Sequence, residues 1–197
     1  MSVLALDIET KNYAHEIGGW ENTHMFIPST VCTWDGEQGT IYIDKNIDDM
    51  IKGDVLVKSL SELKFDLDDH LKKGGVLLGH NIAAFDLRVL RDAMDIYCIK
   101  GCLENKAYID TTHALNKEYG ERYSLNNLVQ HTLGAEKLMD GADAPMVWKS
   151  GGYAEVAEYC LDDCKLVFDL WKHGQKESFV KGFSMNDSVI KKMEVDW

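Results

Sequence analysis

The 197-residue sequence predicts a single α/β domain in which strands and helices form layers. Short apolar segments of strand length alternate with longer segments whose apolar residues recur every three or four positions, as in helices. Gly, Asn and Asp stand between these segments, as is typical of turns. Hydrophobic residues make up 45% of the chain, which excludes a chain without a core.

The first half of the chain predicts strands that precede and follow one amphipathic helix. A five-residue loop, Asp35–Gly39, is typical of a β-hairpin turn. The pattern Ser-Leu-Ser-Glu at 59–62 is typical of a capping box at a helix start, and two glycines end this helix at 74–75. The predicted elements are a strand over 3–6, hairpin strands over 30–34 and 40–43, a helix after 59, and a strand over 76–78.

The second half predicts more helix than strand. We expect a mobile loop over 140–152, which is rich in Gly and Asp, and a polar C-terminal tail over 175–197 that is partly disordered. The domain itself is predicted to cover 1–174. The other predicted elements are a helix from about Ala83, a short strand over 107–109, a helix over 125–133 that Gly134 ends, and a long helix over 153–173.

Two carboxylates follow the first apolar segment. Asp7 and Glu9 stand two positions apart, so on an extended chain both side chains point to the same face. Carboxylates this close repel each other unless a cation lies between them. Their hard oxygens suit Mg²⁺ or Mn²⁺. A pair of solvated acids at a strand end is the alternative to a metal site.

Two later segments add polar residues at defined spacings. An apolar strand is followed by a Gly-His-Asn turn and then by a predicted helix with Asp86 in its first turn. In the last predicted helix, Tyr159 and Asp163 are four residues apart and therefore share a face. Each segment alone is weakly informative, whereas the ordered set is specific.

This ordered set resembles the DEDD (DnaQ-like) 3′–5′ exonuclease superfamily, in its tyrosine-bearing subgroup. Relatives include polymerase proofreading, ribonuclease D and Werner-type exonuclease domains. The histidine-bearing subgroup would require His at the position of Glu158. The resemblance covers about residues 1–173 and implies a ribonuclease H-like mixed β-sheet flanked by α-helices. The residues that match are Asp7, Glu9, Asp86, Tyr159 and Asp163.

The resemblance implies a two-metal hydrolase that releases nucleoside 5′-monophosphates and uses Mg²⁺ or Mn²⁺. Asp7 would bridge both ions, and Glu9 and Asp163 would complete the site that activates water. Asp86 would act on the second ion. Tyr159 would position the attacking water, because an ordinary tyrosine pKa near 10 makes it a poor base at neutral pH.

The predicted substrate is the 3′ end of single-stranded nucleic acid, with DNA preferred. Thr10, Asn12 and Asn81 are candidate substrate contacts, and Asn81 is equally suited to cap a helix. A ribonuclease D-like exoribonuclease is one alternative, since only contacts to the 2′-hydroxyl separate RNA from DNA. A non-catalytic module that binds nucleic-acid ends or a partner is the other.

The net charge of −12 argues against a strong non-specific grip on duplex DNA. Bound metal ions would supply positive charge where it is needed. No polymerase or helicase domain fits in the chain, so we expect such an activity on a replication or repair protein in trans. Lys11, Arg88, Arg91, Lys117 and Arg122 could form a small basic patch, although ordinary solvated charges are the preferred interpretation for most of them.

The cysteines and the lengths of the apolar segments indicate the cellular compartment of the protein. Five cysteines, an odd number, favour reduced thiols. A four-cysteine zinc site from Cys98, Cys102, Cys160 and Cys164 is disfavoured against buried thiols. Acids interrupt the N-terminal apolar run and no run has membrane-spanning length, so we expect no signal peptide, no membrane contact and a cytoplasmic location.

Several further residues have two possible roles. Phe85 is predicted to be a core residue, and Asp162 a solvated neighbour of the metal ligand. Asp110 ends a strand, where it either supports the metal site or caps the next helix. Trp20 and Tyr13 could stack on a terminal base, although core packing is preferred for Trp20.

Overall fold

Six strands form one mixed sheet in this structure, a computed structural model that describes residues 2–197. Their order across the sheet is β4-β3-β2-β1-β5-β6. β2 runs antiparallel to both of its neighbours, and the other neighbouring pairs are parallel. The strands are β1 (Val3–Thr10), β2 (Pro28–Trp34), β3 (Gly39–Ile43), β4 (Val55–Lys58), β5 (Val76–Gly79) and β6 (Tyr108–Asp110).

Helices cover both faces of the sheet, which confirms the predicted α/β, ribonuclease H-like layer arrangement. The side chains of Val3 and Ala5 pack in one core with α5, α6 and α7, and those of Leu6 and Ile8 pack in a second core with α1, α2 and α3. This alternation follows from the two-residue period of a strand. The helices are α1 (Leu63–Lys72), α2 (Asp86–Asp92), α3 (Cys98–Glu104), α4 (Thr111–Tyr119), α5 (Leu125–Leu133), α6 (Ala144–Lys149) and α7 (Tyr153–Glu177).

Several predicted boundaries match the structure. The hairpin of β2 and β3 forms, and Asp35 closes its turn by accepting hydrogen bonds from two backbone amides of the loop. α5 has the predicted bounds, because Ser124 caps its start and Gly134 ends it in a left-handed conformation. β1 is longer than predicted, since it pairs with β2 as far as Thr10. The acid pair therefore lies within a strand and not after one.

The loop predicted over 140–152 as mobile is instead regular. A 3-10 turn over Gly141–Asp143 leads into α6, where Trp148 is buried in the core. The Gly and Asp content that suggested a loop supplies a cap, because the Asp140 carboxylate accepts a hydrogen bond from the amide of Ala142.

The segment predicted as a polar, partly disordered tail continues α7 to Glu177 and then forms a β-hairpin. Its strands are β7 (Phe179–Ser184) and β8 (Val189–Glu194). Val180 and Met193 are fully buried, so the hairpin belongs to the core beside α5. The sequence prediction missed this hairpin because the lysines on its outer face obscure the alternation of buried and exposed side chains along its strands. β4 and α3 were also missed.

The helices were compared with the length and apolar character that a membrane-spanning segment requires. Among the helices of residues 2–197, none combines the length and apolar character required to cross a bilayer.

Candidate active site

Three carboxylates converge where the middle of the sheet meets α7. Asp7 and Glu9 lie on β1 on the same face as Ala5, which is the face that α7 covers. Asp163 projects from α7 toward them. One ligand oxygen of each residue lies within 4.8 Å of one oxygen of each of the others. The structure therefore brings together residues from both ends of the chain.

The carboxylate cluster has unsatisfied acceptors. Oδ2 of Asp7 and Oδ1 of Asp163 are buried and have no hydrogen-bond partner within residues 2–197. Burial, and then the charge of Asp163, raise the pKa of Asp7 to about 7. Burial and the charge of Asp7 raise the pKa of Glu9 well above its ordinary value. An unpaired group of acids is costly in a protein interior, and a divalent cation would satisfy these oxygens. The residues present fit such an ion.

Asp86 lies near the three carboxylates, at the start of α2. It is buried, and burial and the charge of Asp7 raise its pKa well above the ordinary value. Its carboxylate is not among those within 4.8 Å of one another. Asp86 therefore neighbours Asp7 but lies outside the group of three carboxylates, and its role at a second ion stays a prediction.

A lysine that the sequence analysis did not single out enters the cluster. Nζ of Lys137 lies 2.6 Å from Oδ2 of Asp163 and 4.9 Å from the ring centre of Tyr159. Lys137 follows α5, and its backbone amide donates to the side chain of Asn126. Its ammonium partly offsets the burial that raises the pKa of Asp163. No periodicity or spacing signals this residue, because the turn at Gly134 determines where it lies.

Tyr159 borders the cluster one helical turn before Asp163. Burial, and then the charges of Asp163 and Glu9, raise its pKa above the ordinary value, so the hydroxyl keeps its proton at neutral pH. A Cβ atom at Gly141 would lie 3.1 Å from the Tyr159 hydroxyl and 3.9 Å from Oε1 of Glu9. The turn at Gly141 thus covers the site closely, and a side chain there would fill space next to both groups.

The loop between β5 and α2 is braced by Asp110 and His80. The Asp110 carboxylate accepts backbone hydrogen bonds from Asn81, Ala83 and His113, so it caps α4 and holds this loop at once. The His80 ring lies 2.8 Å from Oγ1 of Thr111 and contacts the carbonyl of Tyr123. Burial lowers the pKa of His80 to about 4, so the ring is neutral at pH 7. Both residues position Asp86 through its loop.

The predicted substrate contacts have intramolecular partners. Thr10 donates to the carbonyl of Asn12, and Asn12 holds the chain near Met25 and Ile27 through both side-chain amide atoms. Asn81 has a left-handed backbone, which Asn tolerates, and its side chain accepts from Arg122 instead of capping α2. Contacts of these residues with substrate stay predictions.

An aromatic group lies next to Asp86. The Phe85 ring packs edge-on against Trp20, with centroids 5.4 Å apart, and against Phe26. Trp20 is 66% exposed, so the preference for core packing was wrong for this residue. The reason is that Phe26 and Phe85 fill the core beneath and leave the indole at the surface. Phe85 itself is half-buried against the core.

The cysteines lie in two separate places. Cys102 packs in the core beside α3, whereas Cys160 and Cys164 pack in the core beside α7, on the opposite face of the sheet. The two pairs therefore cannot share one zinc ion. Cys160 donates to the backbone carbonyl of Asp7 at 3.4 Å, so this thiol packs α7 directly beneath the acid pair. Asp162 is half-buried and lies outside the carboxylate cluster.

The candidate basic patch divides into two parts. Arg88, Arg91 and Arg122 line one cavity beside the loop that precedes α2. Lys11 instead lies over the ring of Trp148, and Lys117 lines a second cavity beside the C-terminal hairpin. The arginines alone therefore form a common surface.

Comparison with known proteins assigns the family. A family model described as RNase H superfamily matches residues 4–175, and the chain belongs to this superfamily. No curated protein matches the chain. Membership fits a nuclease-type function, and nucleases with this fold use divalent metals, in agreement with the carboxylate cluster.

Proposed function

We propose that the chain is a metal-dependent 3′–5′ exonuclease of the tyrosine-bearing DEDD type. It would hydrolyse phosphodiester bonds at the 3′ end of single-stranded nucleic acid, DNA by preference, and release nucleoside 5′-monophosphates. The observation that carries this proposal is the convergence of Asp7, Glu9 and Asp163 within 4.8 Å, beside Tyr159 and Asp86.

The chemistry divides between the cofactor and the side chains. Bound Mg²⁺ or Mn²⁺ ions would activate a water and stabilise the leaving oxygen. Asp7 is central among the ligands, because its charge influences the pKa of both Glu9 and Asp86. Asp163 and Glu9 would hold an ion with it, and Asp86 would support a second one.

Tyr159 would hold the attacking water. Its raised pKa means that the hydroxyl donates a hydrogen bond and does not take up the proton of that water. The turn at Gly141 would restrict the space above this hydroxyl, which supports a site that receives a chain end. The resemblance to the DEDD 3′–5′ exonucleases, carried by the acid pair, Asp86 and the Tyr159–Asp163 pair, supports the 3′–5′ polarity.

We also propose weak, distributive action unless a partner delivers the substrate. The net charge of −12 supports this, since few basic residues are present to neutralise phosphates along a strand. The partner would be a polymerase, helicase or other replication or repair protein in trans. A cytoplasmic location is proposed with it, for which the five free cysteines are the support.

End-labelled oligonucleotides test the proposal. Single-stranded DNA that carries a 5′ label is incubated with the protein and Mg²⁺ or Mn²⁺, beside matched RNA. We expect a ladder of products shortened from the 3′ end, with DNA cleaved faster. A folded protein that yields no ladder with either metal and either nucleic acid would contradict the proposal, and faster cleavage of RNA would reverse the substrate preference.

A further inference from the structure

All arginines of the chain line one cavity. Of the 21 Lys and Arg residues, three are arginines: Arg88, Arg91 and Arg122. Each of them borders a cavity of about 550 Å³ next to the loop between β5 and α2. Lysine accounts for the positive charge elsewhere on a strongly acidic chain. Arginine differs from lysine in presenting a planar fork of donors that matches a phosphate group in two-point geometry.

The rest of the lining also suits an anion. His113, Asn116 and Asn81 add polar groups that can donate hydrogen bonds. Asp110 is the acid in this lining, and its two oxygens already accept three backbone amides. The carboxylate keeps its negative charge, but the three guanidinium groups outnumber it, so the cavity has a positive balance.

The three guanidinium groups differ in the ion pairs and hydrogen bonds that they already make. Arg91 pairs with Asp92 through two hydrogen bonds, and Arg122 donates to Oδ1 of Asn81 at 2.9 Å. Within residues 2–197, Arg88 makes no ion pair and no side-chain hydrogen bond, although it is exposed at the cavity. Arg88 is thus the group available to a ligand, Arg122 adds positive charge from a fixed position, and the charge of Arg91 is balanced by Asp92.

The cavity adjoins the carboxylate site. Asn81 and Ala83 in the cavity wall belong to the loop that leads into Asp86, whereas Arg88, two residues further along α2, points away from the buried Asp86 side chain and into the cavity. Asp110 in the wall also contributes, after burial and the charge of Asp7, to the raised pKa of Asp86. A nucleic-acid strand with a phosphate in this cavity would lie against the loop that leads into Asp86.

We propose that this cavity binds a phosphodiester group of the nucleic-acid strand, away from the bond that is cleaved, through the guanidinium of Arg88. This inference rests on the proposed nuclease function, for which it names the contact that holds the strand. It also explains how a chain of net charge −12 contacts its substrate. A local contact of fixed geometry replaces the broad basic surface that most nucleic-acid-binding proteins use.

Binding without metal tests the cavity separately from catalysis. Anisotropy of a labelled single-stranded DNA is measured in EDTA over a series of salt concentrations, for the wild type, Arg88→Ala, Arg88→Lys and the control Lys52→Ala. Lys52 is exposed, has no ion pair or hydrogen bond from its side chain in the described part of the chain, and does not line the cavity. Thermal melts check that each variant is folded, and cleavage with Mg²⁺ is followed in parallel.

We expect Arg88→Ala to weaken binding about 10- to 150-fold, as for loss of one hydrogen bond between charged groups. It should also reduce the slope of log K against log salt by about 0.7, the value for one phosphate contact on a single strand. Arg88→Lys should keep the slope and recover part of the affinity. Lys52→Ala should bind as the wild type does.

Two results would overturn the cavity assignment. One is binding by folded Arg88→Ala with the affinity and salt slope of the control. The other is weaker binding by folded Arg88→Ala with the salt slope of the wild type unchanged, which would mean that Arg88 does not contact a phosphate. A wild type that binds through Arg88 and cleaves nothing would contradict only the nuclease function.

Discussion

The ammonium of Lys137 lies 2.6 Å from a carboxylate oxygen of Asp163, in the midst of the acids that are proposed to bind metal. Both side chains are largely buried, with 19% and 6% of their surfaces exposed. In the absence of a cation, this lysine supplies the positive charge next to the cluster. A divalent ion bound by the same carboxylates would take over that role.

The first prediction concerns this pair. Lys137→Met should lower the stability of the metal-free protein by about 1–3 kcal/mol, because a buried carboxylate loses its partner. Added Mn²⁺ should reduce the difference from the wild type, since the ion supplies the missing charge. Denaturant unfolding in EDTA and in Mn²⁺ measures both effects.

The matched control is Lys149→Met. Lys149 also pairs with an acid, Glu16 at 2.8 Å, but this pair is exposed and should contribute little. Equal stability of the wild type and Lys137→Met in EDTA would show that Lys137 does not compensate the cluster.

The second prediction is a pH dependence. The pKa of Asp7 is about 7 in the folded protein against an ordinary value of 3.8, so between these values the folded state holds a proton that the unfolded state has lost. Stability from this group is therefore fully present below about pH 4 and is lost as pH rises to about 7. Asp7→Asn, which cannot ionise, should gain stability relative to the wild type across that window.

The measurement is the difference in unfolding free energy between the two proteins in EDTA, from pH 4 to pH 8. Taking the difference cancels the contributions of other titrating groups to the unfolding free energy. One of these is His80, whose lowered pKa makes stability rise with pH. A difference that does not change with pH would contradict the assigned pKa of Asp7.

The third prediction uses the turn that covers the site. Gly141→Val should reduce cleavage at least 10-fold, because its side chain would enter the space beside the Tyr159 hydroxyl and Glu9. Ala142→Val changes the next residue of the same turn, which is exposed, and should cleave at the wild-type rate. Single-turnover cleavage distinguishes them, and equal rates for both variants would show that the turn does not approach the reacting groups.

The fourth prediction concerns the exposed indole. If Trp20 stacks on a base of the bound strand, Trp20→Ala should raise KM about 5- to 50-fold with a smaller change in kcat. Phe65→Ala provides the control, since Phe65 is 65% exposed on α1 and makes no ring contact with the Trp20 group. Unchanged KM in Trp20→Ala would leave the indole without a role in binding.

Local spacing explains what could be predicted of the site. Asp7 and Glu9 share a face because they are two apart on a strand, and Tyr159 and Asp163 do so because they are four apart on a helix. These relations depend on short-range geometry. That the two pairs meet follows from α7 packing on β1, which the resemblance implied and the periodicities alone did not.

Non-local contacts explain what was missed. Lys137 reaches Asp163 only because a left-handed Gly134 turns the chain after α5. Trp20 is exposed because two other rings fill the core beneath it, which no property of its own segment indicates. In the C-terminal hairpin, Val180 faces the core whereas the neighbouring Lys181 faces solvent, and this alternation was concealed by the overall polarity of the segment.

Substitution of Asp7 tests the central claim most directly. Single-turnover cleavage of one 5′-labelled oligonucleotide is compared for the wild type, Asp7→Ala, Tyr159→Phe and the control Asp162→Ala, beside thermal melts in EDTA. Asp7→Ala should abolish cleavage and melt at or above the wild-type temperature, because removing one of several crowded acids relieves repulsion. Tyr159→Phe should lose on the order of 10- to 1000-fold, since it removes one hydrogen bond and no metal ligand, and Asp162→Ala should remain active. An Asp7→Ala protein that still cleaves, or that is unfolded, would contradict the account.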